Sequence, residues 1–401
     1  MLALFRLRDF RLLWTGLTVS LLGDGVYVVA IAWQAYSISN SPVALAVTGV
    51  AWTLPAVLVL PFSGVLSDRL GRRPLMIAAD LLRAFAAAGI ATLAIAGHVR
   101  VWHLICLSVV FGLGESLFGP SFTAIVPEIV PQELLVQANS LDQAMRPLAM
   151  QFAGPALGGV IVASAGTGAA FTVDACALLF GACMIATLHV RPALAADGSR
   201  SLMADMREGV GYVRRTTWLL ATLLAFSVTV LVFWGPMEVL VPFVIKNDLH
   251  GGADGFGLVL AAGGGGAITA AVATSVLGLP RRKLVLTLGA FIVSGYGTAL
   301  YGVANALWQM ALIAALAGAG FSAALVAWST VMQSRVPSQL LGRVSSLDWM
   351  ISISLLPASF ALVGPVSGLL GARATLIAAG LGAGSILLAA LLAVPELREA
   401  D

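Results

Sequence analysis

The chain has 401 residues, of which 59% are apolar and 10% charged, and a net charge of +3. Soluble domains carry roughly 45–50% and 25%, so these residues cannot cover a water-facing surface. A soluble enzyme is excluded, and the small positive balance points to membrane insertion and anionic lipid, not to nucleic acid.

A bilayer core needs about 20 apolar residues per helical crossing. Backbone amides in lipid must pair within a helix or around a closed barrel. The apolar runs show no polar alternation, which excludes the barrel. In chain order they predict twelve membrane-spanning helices: 11–37, 43–66, 75–96, 102–124, 139–164, 168–188, 217–245, 254–277, 284–303, 308–331, 345–367 and 372–394. The fold class is an all-α membrane protein. Arg6, Arg8 and Arg11 precede the first run as in a signal peptide, yet no small-residue cleavage site follows a short core, so it reads as a retained helix. Cys106, Cys176 and Cys183 fall inside spans and read as small packing residues, with no disulfide framework or metal-ligand spacing.

The longest polar stretch divides the spans six and six. It implies an N-terminal six-helix bundle over 1–190, a cytoplasmic linker over 191–216 and a C-terminal bundle over 217–401. Within the linker, Leu202–Val213 sets Met203, Met206, Val210 and Val213 on one face, the pattern of a short helix lying on the membrane surface. Basic residues fix the expected orientation. Seventeen of them, among them Arg69, Arg72, Arg73, Arg214, Arg282 and Arg343, fall on the side of the two ends; Arg100, Lys246 and Arg373 fall on the other. Both termini are therefore expected in the cytoplasm, in the cell membrane.

The halves resemble each other. Val130-Pro-Gln-Glu-Leu-Leu recurs as Val336-Pro-Ser-Gln-Leu-Leu, and Asn139-Ser-Leu-Asp142 as Ser345-Ser-Leu-Asp348, shifted by 206 positions. Gly154-Pro155 is echoed by Gly364-Pro365, and Arg72-Arg73 by Arg281-Arg282. A duplicated six-helix unit suits a transporter whose site lies near the membrane midplane.

Charges inside the membrane cost about 2.5–3.5 kcal/mol each even on the mild insertion scale, and so need a partner or a purpose. Asp24 lies mid-way along span 1, with Tyr27, Ile31 and Gln34 on the same face. Glu115 is central in span 4 with Ser108, Gly112 and Gly119. A carboxyl group buried among apolar neighbours disfavours its charged form, so these two are candidates to carry protons. The bland reading is that one of them merely neutralises Arg83 or caps a structural hydrogen bond. Arg83 stands about 12 Å into span 3, one turn from Asp80; the two read as a structural ion pair ahead of a substrate clamp, with Arg83 also a candidate of the transport cavity alongside Asp24, Tyr27, Gln34 and Glu115. Asp142 and Arg146, four apart, read the same way, and Asp348 repeats Asp142. Asp174 and Glu238 fall in the outer halves of their spans, expected to line an outer mouth or simply to snorkel there. Trp33, Trp52, Phe111, Phe118, Phe233 and Trp234 are aromatics available to a pocket or to packing.

Between spans 2 and 3 stands Gly64-Val-Leu-Ser-Asp68-Arg69-Leu-Gly71-Arg72-Arg73. The string resembles the signature loop of the major facilitator superfamily, and that resemblance implies two pseudo-symmetric six-helix bundles and a latch against the start of span 11. Asp68 would then meet the helix end near Ser345–Asp348, with Arg69 and Arg72 completing an ion network. Gly154-Pro155-Ala-Leu-Gly158-Gly159 is a close-packing, proline-kinked face. It also resembles the core of a motif found in proton-coupled exporters of that superfamily, with Met150 where a glycine is expected. Leu22-Gly23-Asp24-Gly25, Pro42 after Asn40-Ser41, and Ala138-Asn139-Ser140-Leu141 resemble the subgroup of drug, macrolide and siderophore exporters.

Gly263 to Gly266 lacks the lysine of a phosphate-binding loop, so no ATP site and no cofactor are expected. The reading is a monomeric proton antiporter exporting amphipathic or apolar small molecules by alternating access. The rivals are an importer or uncoupled facilitator of the same fold, and a membrane-embedded lipid-handling protein or enzyme. The four histidines, His98, His103, His189 and His250, all lie near span ends, which counts against the enzyme.

Overall fold

The computed structural model describes residues 4–189 and 202–398, and among these it is helical with no strand. The helices are α1 (Arg8–Ile38), α2 (Pro42–Leu70), α3 (Arg72–Ile95), α4 (Val101–Ile129), α5 (Leu135–Arg146), α6 (Gly154–Ala186), α7 (Leu202–Arg215), α8 (Thr217–Asn247), α9 (Ala253–Leu277), α10 (Lys283–Thr298), α11 (Leu307–Arg335), α12 (Ser338–Ser354), α13 (Leu356–Leu370) and α14 (Ala372–Ala393). Local chemistry sets their ends. Ser41 caps α2 by accepting the Val43 amide at 3.3 Å, with Pro42 in the first turn where its missing amide costs nothing. Gly71 joins α2 to α3 at φ 87°, a conformation that other residues rarely adopt.

Eleven stretches of the described residues are long and apolar enough to cross a bilayer, and the fifth, Gln132–Ala186, has 55 residues. At 1.5 Å per residue that is about 80 Å, far more than the roughly 30 Å hydrocarbon core. Gly166, at φ 82° and ψ 171°, occupies a region essentially reserved for glycine and breaks it in two. Before the break, Gly154 and Gly158 lie against Gly25 and Val26, so this arm runs along α1. After it, Gly181 lies against Gly16 and Ala177 beside Gly23, so the second arm runs the opposite way. With the two arms counted separately there are twelve crossings, as the hydropathy predicts. The Leu202–Val213 segment is helical, within α7; residues 190–201 lie outside the described residues.

The chain divides into two compact units, Met1–Ala196 with Ile245–Ala261, and Asp197–Val244 with Ala262–Asp401. In the first, α1 packs on α6, α3 on α4 and α6, and α2 on α4, around Leu13, Leu17, Met76, Phe118, Phe122 and Ile125. In the second, α10 packs on α11 and α14, around Leu223, Leu288, Phe291, Ala324, Val331 and Leu387. Large apolar side chains such as Phe62, Phe85, Val160, Leu277 and Leu369 stand exposed, as faces meant for acyl chains should. The three cysteines are also exposed, on outer surfaces and not in the packed positions expected of them.

The repeat has a defined structural register. Gly112 admits the Trp52 carbonyl as Gly318 admits that of Gly263, and Gly114 lies on Ala79 and Arg83 as Gly320 lies on Ala290 and Ser294. Gly166 and Gly371 share one backbone conformation, and Gly25 sits on Gly154 as Gly235 sits on Ser359. These correspondences correct two sequence echoes. Gly154 answers to Ser359 and not to Gly364, and Arg72 answers to Lys283, the first residue of α10, and not to Arg281. The seven-residue π-helical segment Pro147–Ala153 explains part of the drift: a π turn holds one residue more than an α turn.

Candidate transport site

The intramembrane charges of the first unit converge on Arg83. Its Nη1 donates to Asp24 Oδ1 at 3.1 Å and Oδ2 at 3.0 Å, and its Nη2 donates to Asp80 Oδ1 at 2.5 Å. Asp80 is fully buried and Arg83 nearly so, whereas the Asp24 side chain keeps 12% exposure. The guanidinium also lies over the rings of Phe118 and Phe111, at 5.1 and 5.8 Å. Asp80 and Arg83 lie one turn apart on α3 as predicted, but the pair is a triad because α1 adds Asp24. Gly114 makes this possible: a side chain there would strike the Ala79 carbonyl and the Arg83 stem.

Glu115 and Tyr27 belong to the same layer. Glu115 Oε2 accepts the Trp52 indole N–H at 2.5 Å, and Gly112 lets the Trp52 backbone close on α4. Tyr27, 1% exposed, stacks on Phe111 with centroids 4.3 Å apart. Gln34 lies further along α1 and bonds Thr167 and Ser37, away from the charged layer.

Asp174 is the residue the sequence reading misplaced. It was expected at an outer mouth, yet it is fully buried, against Gly23, and neither carboxyl oxygen has a hydrogen-bond partner. A signal existed. Asp174, Leu178, Gly181 and Ile185 recur at helical spacing, and that stripe is the one packed inward. Glu238, by contrast, is exposed on α8.

The second unit holds none of these charges. By the structural register, Asp24, Asp80, Arg83, Glu115 and Asp174 correspond to Trp234, Phe291, Ser294, Phe321 and Ala379. Trp234, Phe291, Ser294 and Phe321 line a cleft together with Phe226, Thr229 and Phe233. Its rings meet at 5.2 Å between Phe226 and Phe291, 5.5 Å between Phe291 and Phe321, and 5.8 Å between Trp234 and Phe321. One location in the duplicated bundle is thus ionic in one copy and aromatic in the other.

The loop after α2 ties helix ends together within the first unit. Arg72 Nη1 donates to Glu128 Oε1 and to the Ala124 carbonyl, both at 2.6 Å, on α4. Arg73 donates to the Ile185 carbonyl at 3.2 Å and to that of Ala186, the C-terminal end of α6, where cations are favoured. Arg69 is exposed; the surroundings of Gly64 and the side chain of Asp68 lie outside the described residues. Arg146 Nε holds Asp142 Oδ2 at 2.9 Å and lies over Phe122. In the second copy, Asp348 instead accepts Trp328 Nε1 at 3.0 Å and Ser352 Oγ at 3.4 Å, so uncharged donors stand where the first copy has an arginine. Gly154, Pro155, Gly158 and Gly159 form a packing seam: Gly158 on Val26 of α1, Gly159 on Ala253 and Gly257 of α9.

Residues 1–401, the entire chain, match the family described as transmembrane secretion effector. The chain belongs to that family, within the major facilitator superfamily. As a transmembrane secretion effector it is 28% identical over 395 residues to the multidrug efflux pump Tap of Mycolicibacterium fortuitum, which covers 94% of each chain. It is 22% identical over 359 residues to macrolide efflux protein A of Streptococcus pyogenes, 88% of each. Among solved structures, a bacterial homologue of the iron transporter ferroportin in an inward-facing state aligns with a TM-score of 0.72 at 18% identity, over 96% of this chain and 98% of that one. A POT family transporter in complex with a thioalcohol-conjugated peptide gives 0.72 at 13%, over 97% of each. These two likenesses establish the fold.

Proposed function

We propose that this transmembrane secretion effector exports amphipathic or apolar small molecules by proton antiport, working by alternating access as a monomer in the cell membrane with both ends in the cytoplasm. The observation that carries the reading is the unequal treatment of two carboxylates on one guanidinium. Asp80 is fully buried, while the Asp24 side chain keeps 12% exposure. A proton reaching Asp24 cancels its charge and leaves Arg83 with Asp80 alone. A buried charge that loses a partner is costly, so the protonated and unprotonated states favour different packings of α1 against α3. Two packings with different proton affinity are what coupled transport requires. Glu115, four helix positions from Phe111, serves as the second titratable group of the layer.

Support for export of drug-like compounds comes from relatives named as multidrug and macrolide efflux pumps. The aromatic cleft of the second unit offers a face for the apolar part of such a compound. Transport, and not catalysis, is the activity assigned; the partners are substrate, protons and lipid. Proteoliposomes loaded with a macrolide and given a pH gradient test the reading. Substrate should move against proton flow, and an uncoupler should collapse its accumulation. Asp24→Asn should keep downhill exchange and lose uphill export. Macrolide movement without any proton flow in the wild type would overturn the proposal.

A further inference from the structure

We propose that Asp174 is a second proton carrier, holding a proton inside the first bundle and passing it to Asp24 when Arg83 changes partner. The inference rests on the antiport reading and adds a residue and a step to it.

Asp174 is fully buried and makes no hydrogen bond with either oxygen, among the described residues. A buried carboxylate with neither cation nor donor is far less favourable than the neutral acid. The groups around it come from each helix packed on α6. From α1 come Asp24 and Tyr27, and from α3 Asp80 and Arg83. The guanidinium of Arg83 is already shared by Asp24 and Asp80. Gly23 removes the side chain that would separate Asp174 from α1, since any Cβ there would strike the Asp174 carboxyl. Nor does the scaffold demand an acid at this place. Its counterpart in the second copy is Ala379, 4% exposed and well packed.

The step balances. The Asp174 acid gives its proton to the Asp24 carboxylate. Asp174 becomes the carboxylate and takes the guanidinium, and the neutral Asp24 presents the proton at the exposed end. Asp24 is the port and Asp174 the reserve.

Infrared difference spectra of the full-length protein in detergent read the protonated-acid carbonyl stretch directly. Wild type should show a band that Asp174→Asn removes. Because Asp24→Asn imitates the protonated port, it should draw Arg83 to Asp174 and abolish that same band, measured against the double variant. A fixed structural acid would keep its band in Asp24→Asn, and that result overturns the proposal. In proteoliposomes, Asp174→Asn should keep macrolide exchange at equal pH and lose about ten-fold in gradient-driven accumulation, the size of a lost coupling between two ligands. Accumulation equal to wild type would also overturn it. Wild-type transport without proton flow defeats the antiport reading itself, and is seen without any variant. Asparagine is isosteric with the neutral acid, so unchanged thermal melting checks that Asp174→Asn folds.

Discussion

Arg83 holds both oxygens of Asp24 at 3.0 and 3.1 Å while its second amino group grips Asp80 at 2.5 Å, so one guanidinium on α3 fixes the rotation of α1. Breaking a buried pair from one side strands the other charge. Arg83→Leu should therefore destabilise the first unit by about 3–5 kcal/mol, read as a lowered melting temperature in detergent. Asp24→Asn, which leaves Asp80 on the arginine, should cost clearly less. Equal losses in the two variants would mean that Asp80 does not hold Arg83.

The indole of Trp52 donates to Glu115 at 2.5 Å. Trp52→Phe keeps the ring contacts with Tyr27 and Phe111 and deletes only the donor. A cost of about 1–3 kcal/mol is expected for the carboxyl left without it. Glu115→Gln, which preserves an acceptor, should melt near wild type.

Gly166→Ala tests the hairpin. At φ 82° and ψ 171° a Cβ is strained although open space surrounds it. The expected cost is about 1–3 kcal/mol, with lowered yield of folded protein in the membrane. Gly97, at φ 69° in a loop with equal space, should accept alanine more readily.

The aromatic cleft predicts a different phenotype. Under the proposed antiport, Trp234→Ala and Phe321→Ala should raise the KM for an apolar test compound several-fold while proton movement persists. Each lost ring contact is worth about 0.5–1.5 kcal/mol beyond its area. Initial rates of export across substrate concentrations give the answer.

Arg72 bridges Glu128 and the Ala124 carbonyl with 26% of its side chain exposed. Arg72→Ala should cost under about 1 kcal/mol of stability, as partly exposed pairs do. Its transport rate should fall further than its melting temperature suggests, because the loop joins the ends of α3 and α4.

Much of the fold was legible in the residues. Lipid leaves the backbone a helix or a closed barrel, and without polar alternation only the helix, so hydropathy sets the number of crossings even where Gly166 hides one turn inside a 55-residue stretch. The duplication, the Asp80–Arg83 spacing and the Asp142–Arg146 spacing were likewise visible, since helical neighbours three and four apart must meet. The candidate site was only half visible. Hydropathy alone does not say which side of a nearly all-apolar helix meets its neighbours; the Asp174, Leu178, Gly181 and Ile185 stripe marked one face of α6, but nothing local joined Asp24 to Asp80. Those choices were made by glycines that let α1, α4 and α6 approach, and by the need of each buried charge for a partner from another helix. For the same reason the true register of the two copies, which sets Trp234 where Asp24 stands, emerged only once the helices were packed.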